Sequence, residues 1–287
     1  MKQSLDLIVF DFSGTLSLTA VEFGKSEKLV PVLEKSGLVK LGVASEAFFW
    51  DEIVYPTWVE GSTTGRGYLG VLTDRIRDLG LHAPEDPHPD ETIQGAVSYL
   101  LDRYFDQCRI DIRWRTLLQD LNESPSVQVL IATDHYAEAT SVIAGRLEDW
   151  RIDAVTLSQA VPGTRNPFII ANSSDMGFHK ADIRFWRLVS DKLSLPEPYR
   201  VLLVDDFGGN EDSSDPYGDP GRVSVRRQET DRVLRDVFGD RVEIYSFLVE
   251  KANGITREAA DRDGLYGFYI CRAVSHIRSF LGLGRPL

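Results

Sequence analysis

Two hydrophobic rhythms alternate along this chain. Short apolar-rich runs at residues 7–10, 127–132, 152–157, 201–204 and 242–247 have the length and composition of strands buried in a parallel sheet. Helical spacing fills much of the rest, at residues 21–35, 46–55, 68–79 and 90–107. The last is the clearest: Ile93, Val97, Leu101 and Phe105 recur every fourth position, and Leu100 and Tyr104 widen the stripe. Breaks fall at Gly37, at Pro56 and across 82–89, a segment with three prolines.

No strand-like run interrupts the block after residue 16, which reads as a helical unit inserted behind the first strand. Beyond it, an amphipathic crossover helix at 137–150 joins two strands, the spacing of a βαβ unit. Residues 158–176 read as irregular, with Pro162, Gly163, Pro167 and a polar run at 172–175. A helix opens at Gly177-Phe178-His179-Lys180, with Ile183, Trp186, Leu188 and Val189 facing inward. A short strand at 223–225 and helices at 230–238 and 266–281 complete the pattern. The class is α/β, with no internal repeat.

The length of 287 residues allows a large α/β domain carrying an insertion. A 43% hydrophobic and 26% charged composition is that of a globular protein, and no apolar run is long enough to span a bilayer. The first strand begins almost at once, leaving no room for a signal peptide, so a cytoplasmic location is expected. Cys108 and Cys271 form neither a disulfide framework nor a metal-ligand spacing and are expected to be plain helix residues. A net charge of −12 disfavours nucleic-acid and membrane-surface binding. An anionic small molecule can still be held where a divalent metal and a lysine supply local positive charge.

The chemistry sits where strands end. Leu7-Ile8-Val9-Phe10 delivers Asp11 to the turn Phe12-Ser13-Gly14-Thr15, at the sheet edge where open α/β proteins bind ligands. An ordinary turn has the same signature, so that stretch by itself leaves both readings open. Partners follow in order: Thr133 and Asp134 after a second strand, Lys180 near a helix start, and Asp205-Asp206 after another strand. Elsewhere, the loop at 60–67 with Arg66 either touches an anionic substrate or is a solvated connection. Lys25, Lys28 and Lys35 read as a solvated helix face, and His135 and His179 as surface or supporting residues.

These four signals, with a helical insertion after the first, resemble the motifs of the haloacid dehalogenase (HAD) superfamily of phosphohydrolases. The resemblance covers residues 5–211 and implies a Rossmann-like core, residues 1–16 and 116–287, with a helical cap at 17–115. It implies that Asp11 is the nucleophile, forming an aspartyl phosphate, and that Lys180 and Thr133 are catalytic partners. Mg²⁺ would be held by Asp11, the Ser13 carbonyl and Asp206, with Asp205 binding directly or through water. Substrate contacts are expected from Ser13, Gly14, Thr15, Thr133, Asp134 and Arg66. The expected partner is a small phosphorylated or phosphonate metabolite, and the chain a monomer or homodimer.

The sequence departs from the family at Ser13, where phosphatases carry the aspartate that protonates the leaving group and activates water. A hydroxyl does neither well. Other activities within the family lack that aspartate, phosphonate hydrolysis and metal-independent dehalogenation among them. Three readings therefore follow: a Mg²⁺-dependent phosphatase or phosphonatase, a dehalogenase-type hydrolase, and a non-catalytic binder of phosphorylated ligands.

Overall fold

The computed structural model describes residues 5–211, 217–249 and 259–283. The chain opens with β1 (Asp6–Phe10) and then leaves the sheet for a run of helices: α1 (Leu18–Phe23), α2 (Ser26–Ser36), α3 (Leu38–Leu41) and α4 (Glu46–Phe48). A π-turn over Phe49–Val54 leads into α5 (Tyr55–Thr63), α6 (Gly67–Asp78) and α7 (Pro89–Gln107). The second half alternates: α8 (Arg115–Glu123), β2 (Val127–Thr133), α9 (Glu138–Glu148), β3 (Ala154–Thr156), β4 (Phe168–Asn172), α10 (Ser173–Met176) and α11 (Ile183–Leu193). Then come β5 (Val201–Asp205), α12 (Pro220–Phe238), β6 (Val242–Ser246) and α13 (Ala259–Phe280). None of the described helices is long and apolar enough to cross a membrane.

The strands form one six-stranded sheet in the order β3-β4-β2-β1-β5-β6, with every pairing parallel. Side-chain alternation divides the apolar residues into two layers. Ile8, Phe10, Ile131 and Val204 pack on one face against α8, α9 and α13 through Leu118, Ile143 and Ile270. Leu7, Val9, Leu130 and Leu203 pack on the other against Trp186, Val189 and Leu234 of α11 and α12. This is the Rossmann-like core expected from the sequence. Because β2 and β5 flank β1 on opposite sides, the strand order reverses at β1, and a crevice opens at the carboxyl ends of these three strands.

Several local expectations change. The helix expected at 21–35 is two, because Lys25 is extended and starts α2 after a break at Gly24. Pro56 does not end a helix: Val54 and Tyr55 are both right-handed helical, so the π-turn runs straight into α5 with Pro56 in its first turn, and the Glu52 carbonyl, one turn back, accepts from Arg75 Nε at 2.6 Å. The loop expected at 60–67 is thereby reduced to a short turn, since residues up to Thr63 are helical. The irregular segment at 158–176 contains β4, whose run Phe168-Ile169-Ile170-Ala171 lies wholly buried between β3 and β2. The strand expected at 223–225 is helical: the Asp219 side chain accepts from Arg222 N at 2.9 Å and Pro220 follows, which starts α12 early. On α11, Val189 faces inward but Leu188 is exposed, and the helix begins at Ile183, after Lys180. Cys108 lies just past the end of α7, buried, while Cys271 is exposed on α13.

The inserted helices own a separate apolar core that includes Leu33, Leu41, Leu72 and Val97. The chain leaves and re-enters the Rossmann-like core at adjacent points, tied by Asp111 N donating to Leu16 O at 2.9 Å. Ile110 and Trp114 already pack beneath the sheet. Close contacts fasten the cap to the core. Glu138 of α9 accepts from Tyr68 N at 2.8 Å and Leu69 N at 3.2 Å, capping the cap helix α6. Tyr136 enters the cap's own core and stacks on Tyr68 with ring centroids 3.8 Å apart. A Cβ on Gly61 would lie 2.1 Å from the Tyr136 ring.

Gly61→Ala therefore drives a methyl into a ring stacked on Tyr68, and should destabilise the protein by about 1–3 kcal/mol. Gly70→Ala, at a helical position with nothing within 4 Å, should instead stabilise by up to about 1 kcal/mol. Denaturant unfolding of the two variants checks the contrast, and equal effects would dismiss Gly61 as a docking contact.

Candidate active site

Each strand end at the crevice delivers a functional group. Asp11 follows β1 directly, Thr133 ends β2, and Asp205 ends β5 with Asp206 behind it. Asp11, Thr133, Lys180, Asp205 and Asp206 are all buried, and with Ser13 and Asp134 they line a recess of about 20 Å³. Such a volume takes roughly one water-sized group.

Lys180 holds the site together. Its Nζ donates to Asp11 Oδ1 at 2.6 Å and to Asp205 Oδ2 at 2.7 Å, across the two strand ends. Its backbone is fixed as well: Lys180 N donates to Asp134 Oδ1 at 2.9 Å, and Lys180 O accepts from Trp186 Nε1 at 2.7 Å. The cation is thus aimed by its main chain before its side chain finds a partner. Burial opposes its charge, yet Asp11 and Asp205 prevail and raise its pKa.

The carboxylates outnumber the cation. Burial, then the neighbouring Asp205, pushes Asp11 up to about 7 despite Lys180. Burial likewise raises Asp206 well above the carboxylate range, and the charges of Asp11 and Asp205 add to it. Asp206 has no salt bridge among the described residues; its Oδ2 accepts only a backbone N–H, from Asn210 at 2.9 Å. Carboxylate oxygens of Asp11, Asp205 and Asp206 lie within 4.8 Å of one another. An oxygen-only set with surplus negative charge fits a hard divalent cation such as Mg²⁺.

The loops are locked around this geometry. Gly14 has φ +78, and a Cβ there would lie 2.4 Å from the Asp206 carboxylate, so only glycine lets the two loops approach. Thr15 Oγ1 accepts from Asp206 N at 3.1 Å, and Asp205 Oδ1 accepts from Phe207 N at 2.7 Å. Asn210 joins three segments, donating to Gly14 O at 2.7 Å and Phe247 O at 2.9 Å and accepting from Val249 N at 2.8 Å. Phe207 is left in a left-handed conformation, φ 55, with its carbonyl accepting from Arg226.

The structure sorts the residues expected from the sequence. Asp11, Ser13, Thr133, Asp134, Lys180, Asp205 and Asp206 meet at the recess. Asp134 sits there chiefly to hold the Lys180 backbone. Gly14 and Thr15 do not line it; their groups bind the Asp206 loop instead. Arg66 is corrected outright: it is exposed on the cap and paired with Glu60 and Asp74, away from the recess. Phe207, Gly208 and Glu211 follow from the turn after β5, and Tyr217, Arg226 and Thr230, which no local pattern singled out, complete the wall.

The two histidines stand at the seam between cap and core. His179 Nε2 lies 2.7 Å from Ser62 Oγ on the cap, with Trp58 stacked over the ring. Ser173 donates to the Ser62 carbonyl and accepts from His135 N at 3.0 Å. His135 is buried, not superficial. Its Nδ1 accepts from Tyr136 N at 2.8 Å, which leaves Nε2 as the donor to Tyr104 Oη at 2.8 Å and fixes a neutral tautomer.

Comparison with solved structures finds weak likenesses over most of the chain. A 2-haloacid dehalogenase from Pseudomonas syringae pv. Tomato DC3000 is 17% identical, with TM-score 0.49 over 88% of this chain and 91% of that one. An L-2-haloacid dehalogenase from Xanthobacter autotrophicus is 15% identical, with TM-score 0.41 over 91% and 88%. The HAD-hydrolase YfnB from Bacillus subtilis, bound to magnesium, is 13% identical, with TM-score 0.35 over 71% and 78%. No protein-family model matches the chain, and neither does any curated protein.

Burial lowers the pKa of His135 to about 4, below its ordinary value of 6.5. The unfolded chain therefore binds this proton first as pH falls. The stability from keeping His135 neutral is complete above about pH 6.5 and is lost progressively toward pH 4, at no more than about 1.4 kcal/mol per pH unit. Denaturant unfolding of wild type and His135→Asn between pH 7 and 4 should give a shallower slope for the variant. Parallel curves would remove His135 as the titrating group.

Proposed function

We propose that the chain is a Mg²⁺-dependent hydrolase of the HAD superfamily, cleaving a phosphate or phosphonate compound through an aspartyl phosphate on Asp11. The observation that carries this reading is Lys180 Nζ bound to both Asp11 and Asp205 while a third buried carboxylate, Asp206, has no salt bridge among the described residues. One lysine for three carboxylates leaves a charge deficit that a divalent ion makes good. Without a metal, this repulsion would be relieved only by holding Asp206 in its protonated form.

Asp206 and Asp11 would hold the metal, with the Ser13 carbonyl beside them and Asp205 behind, already bound to Lys180. When bound, the ion supplies positive charge that offsets repulsion between a carboxylate and an anionic phosphoryl group. The remaining work belongs to the chain. Lys180 holds Asp11 in position and neutralises charge developing on the phosphoryl oxygens. Thr133, buried at the end of β2, offers a hydroxyl to one of those oxygens. The Asp11 carboxylate attacks phosphorus, the bond to the leaving oxygen, or to a carbon able to hold the electron pair, breaks with that pair departing on the leaving group, and water later cleaves the acyl phosphate to phosphate and the free carboxylate. The cap, seated over the recess, excludes bulk water during attack.

Ser13 lines the recess where a phosphatase of this family has its acid–base aspartate. Leaving groups that need no proton are thus favoured, and breakdown of the phosphoenzyme becomes the slow step.

Two experiments test this reading. With 4-nitrophenyl phosphate, chelation by EDTA should abolish turnover, and Asp206→Asn should raise the Mg²⁺ concentration for half-maximal rate at least tenfold; full activity in EDTA would favour the metal-independent hydrolase. The same substrate should give a pre-steady-state burst, and Ser13→Asp should raise the steady-state rate by up to about 10²–10⁴. A Ser13→Asp enzyme no faster than wild type, with no burst, would count against a slow acyl-phosphate step.

A further inference from the structure

We infer that the substrate's leaving group is a bulky, apolar, aromatic body seated between cap and core; this inference rests on the hydrolase reading above. Beside the small polar recess lies a second cavity of about 660 Å³, within the range of sites that enclose drug-sized ligands. Ser13, Asp134, Glu211, Tyr217 and Arg226 line both spaces, so the two adjoin. A molecule placing its phosphoryl group at Asp11 would extend its remainder into the larger one.

The lining states what that remainder is. Charged side chains gather at the recess end, where Asp134, Glu211 and Arg226 are shared, with Arg222 the one further aspartate, glutamate, lysine or arginine among the described lining residues. The rest of the wall is supplied largely by the cap and is predominantly apolar, including Val21, Leu29, Phe49 and Val54, with tyrosine hydroxyls and two imidazoles as its polar points. A sugar or a second charged group there would lose hydration without enough hydrogen bonds in return. Trp58 meets Tyr136 edge to face at 5.3 Å and Tyr217 at 5.9 Å, so its indole is held rigid beside the residue that lines both spaces. Rigid rings at that passage suit a planar group, which gains offset or edge contacts beyond simple burial.

The test compares 1-naphthylacetyl phosphate with acetyl phosphate, whose carboxylate leaving groups need no proton and have similar acidity. The naphthyl compound should show a kcat/KM at least 100-fold higher, and 2-(1-naphthyl)ethanol should bind in calorimetry. Gly24 lines the cavity in an ordinary right-handed conformation, φ −68, with the Trp50 ring 3.5 Å from an added Cβ. Gly24→Phe should therefore fill the cavity, lower the ratio of the two kcat/KM values at least tenfold and weaken binding of the alcohol, with a thermal midpoint near wild type. Equal kcat/KM values with no binding of the alcohol would overturn the inference. Binding of the alcohol that Gly24→Phe removes, without turnover of either acyl phosphate, would support the cavity's assignment and overturn the hydrolase reading alone.

Discussion

Everything at the crevice depends on the cost of burying several carboxylates together. Three of them, on two neighbouring strand ends, share a buried recess, where each would drive the others toward the neutral form. The fold answers with a lysine whose backbone is clamped by Asp134 on one side and Trp186 on the other. That clamp fixes the ammonium between Asp11 and Asp205 without relying on the side chain's own flexible stem. Backbone donors then serve the oxygens that the lysine does not reach, Asn210 N on Asp206 and Phe207 N on Asp205. The result is a site whose geometry is set by the sheet and whose carboxylates outnumber the lysine that joins them.

The same strand ends explain why cap and chemistry are joined. Asp134, His135 and Tyr136 follow β2 in succession and face three tasks: the first holds Lys180, the second bonds Tyr104, and the third enters the cap's core. A displacement of the cap is therefore felt two residues from the group that aims the lysine. Ser62 adds a second link through His179, the immediate neighbour of Lys180. Cap position and lysine position are mechanically related by very short stretches of chain.

Much of this was legible in the sequence because the site is made at strand ends, and a strand end is a local signal. Asp11, Thr133, Lys180, Asp205 and Asp206 each stood beside an apolar run or a helix start. What local patterns could not show was which polar groups serve a ligand and which serve the backbone. Thr15 and Gly14 looked like ligand contacts, yet their partners are Asp206 and Asn210, far along the chain. Arg66 looked available because nothing near it in its loop forecast Asp74 as its mate across a turn. The strand β4 was hidden by the prolines and polar residues flanking a short apolar run, and α12 by the β-branched residues Val223 and Val225 at its start. The aromatic cavity was invisible for another reason: its rings come from separate helices of the cap and from the core, and only the folded chain brings them together.

The hydrogen bond between Asp111 and Leu16 has a consequence for assembly of the molecule. Neighbouring strands β1 and β2 are separated in sequence by the whole cap, and closing so long a loop in one step is entropically unfavourable and slow. A cap with its own apolar core can gather first and bring its two ends side by side. The sheet then meets a short connection in place of a long one, each halving of the effective loop saving about 0.6 kcal/mol. Local contacts within the helical insert thus lower the cost of this non-local pairing, and changes to the cap's interior would be felt in the rate at which the central strands find one another.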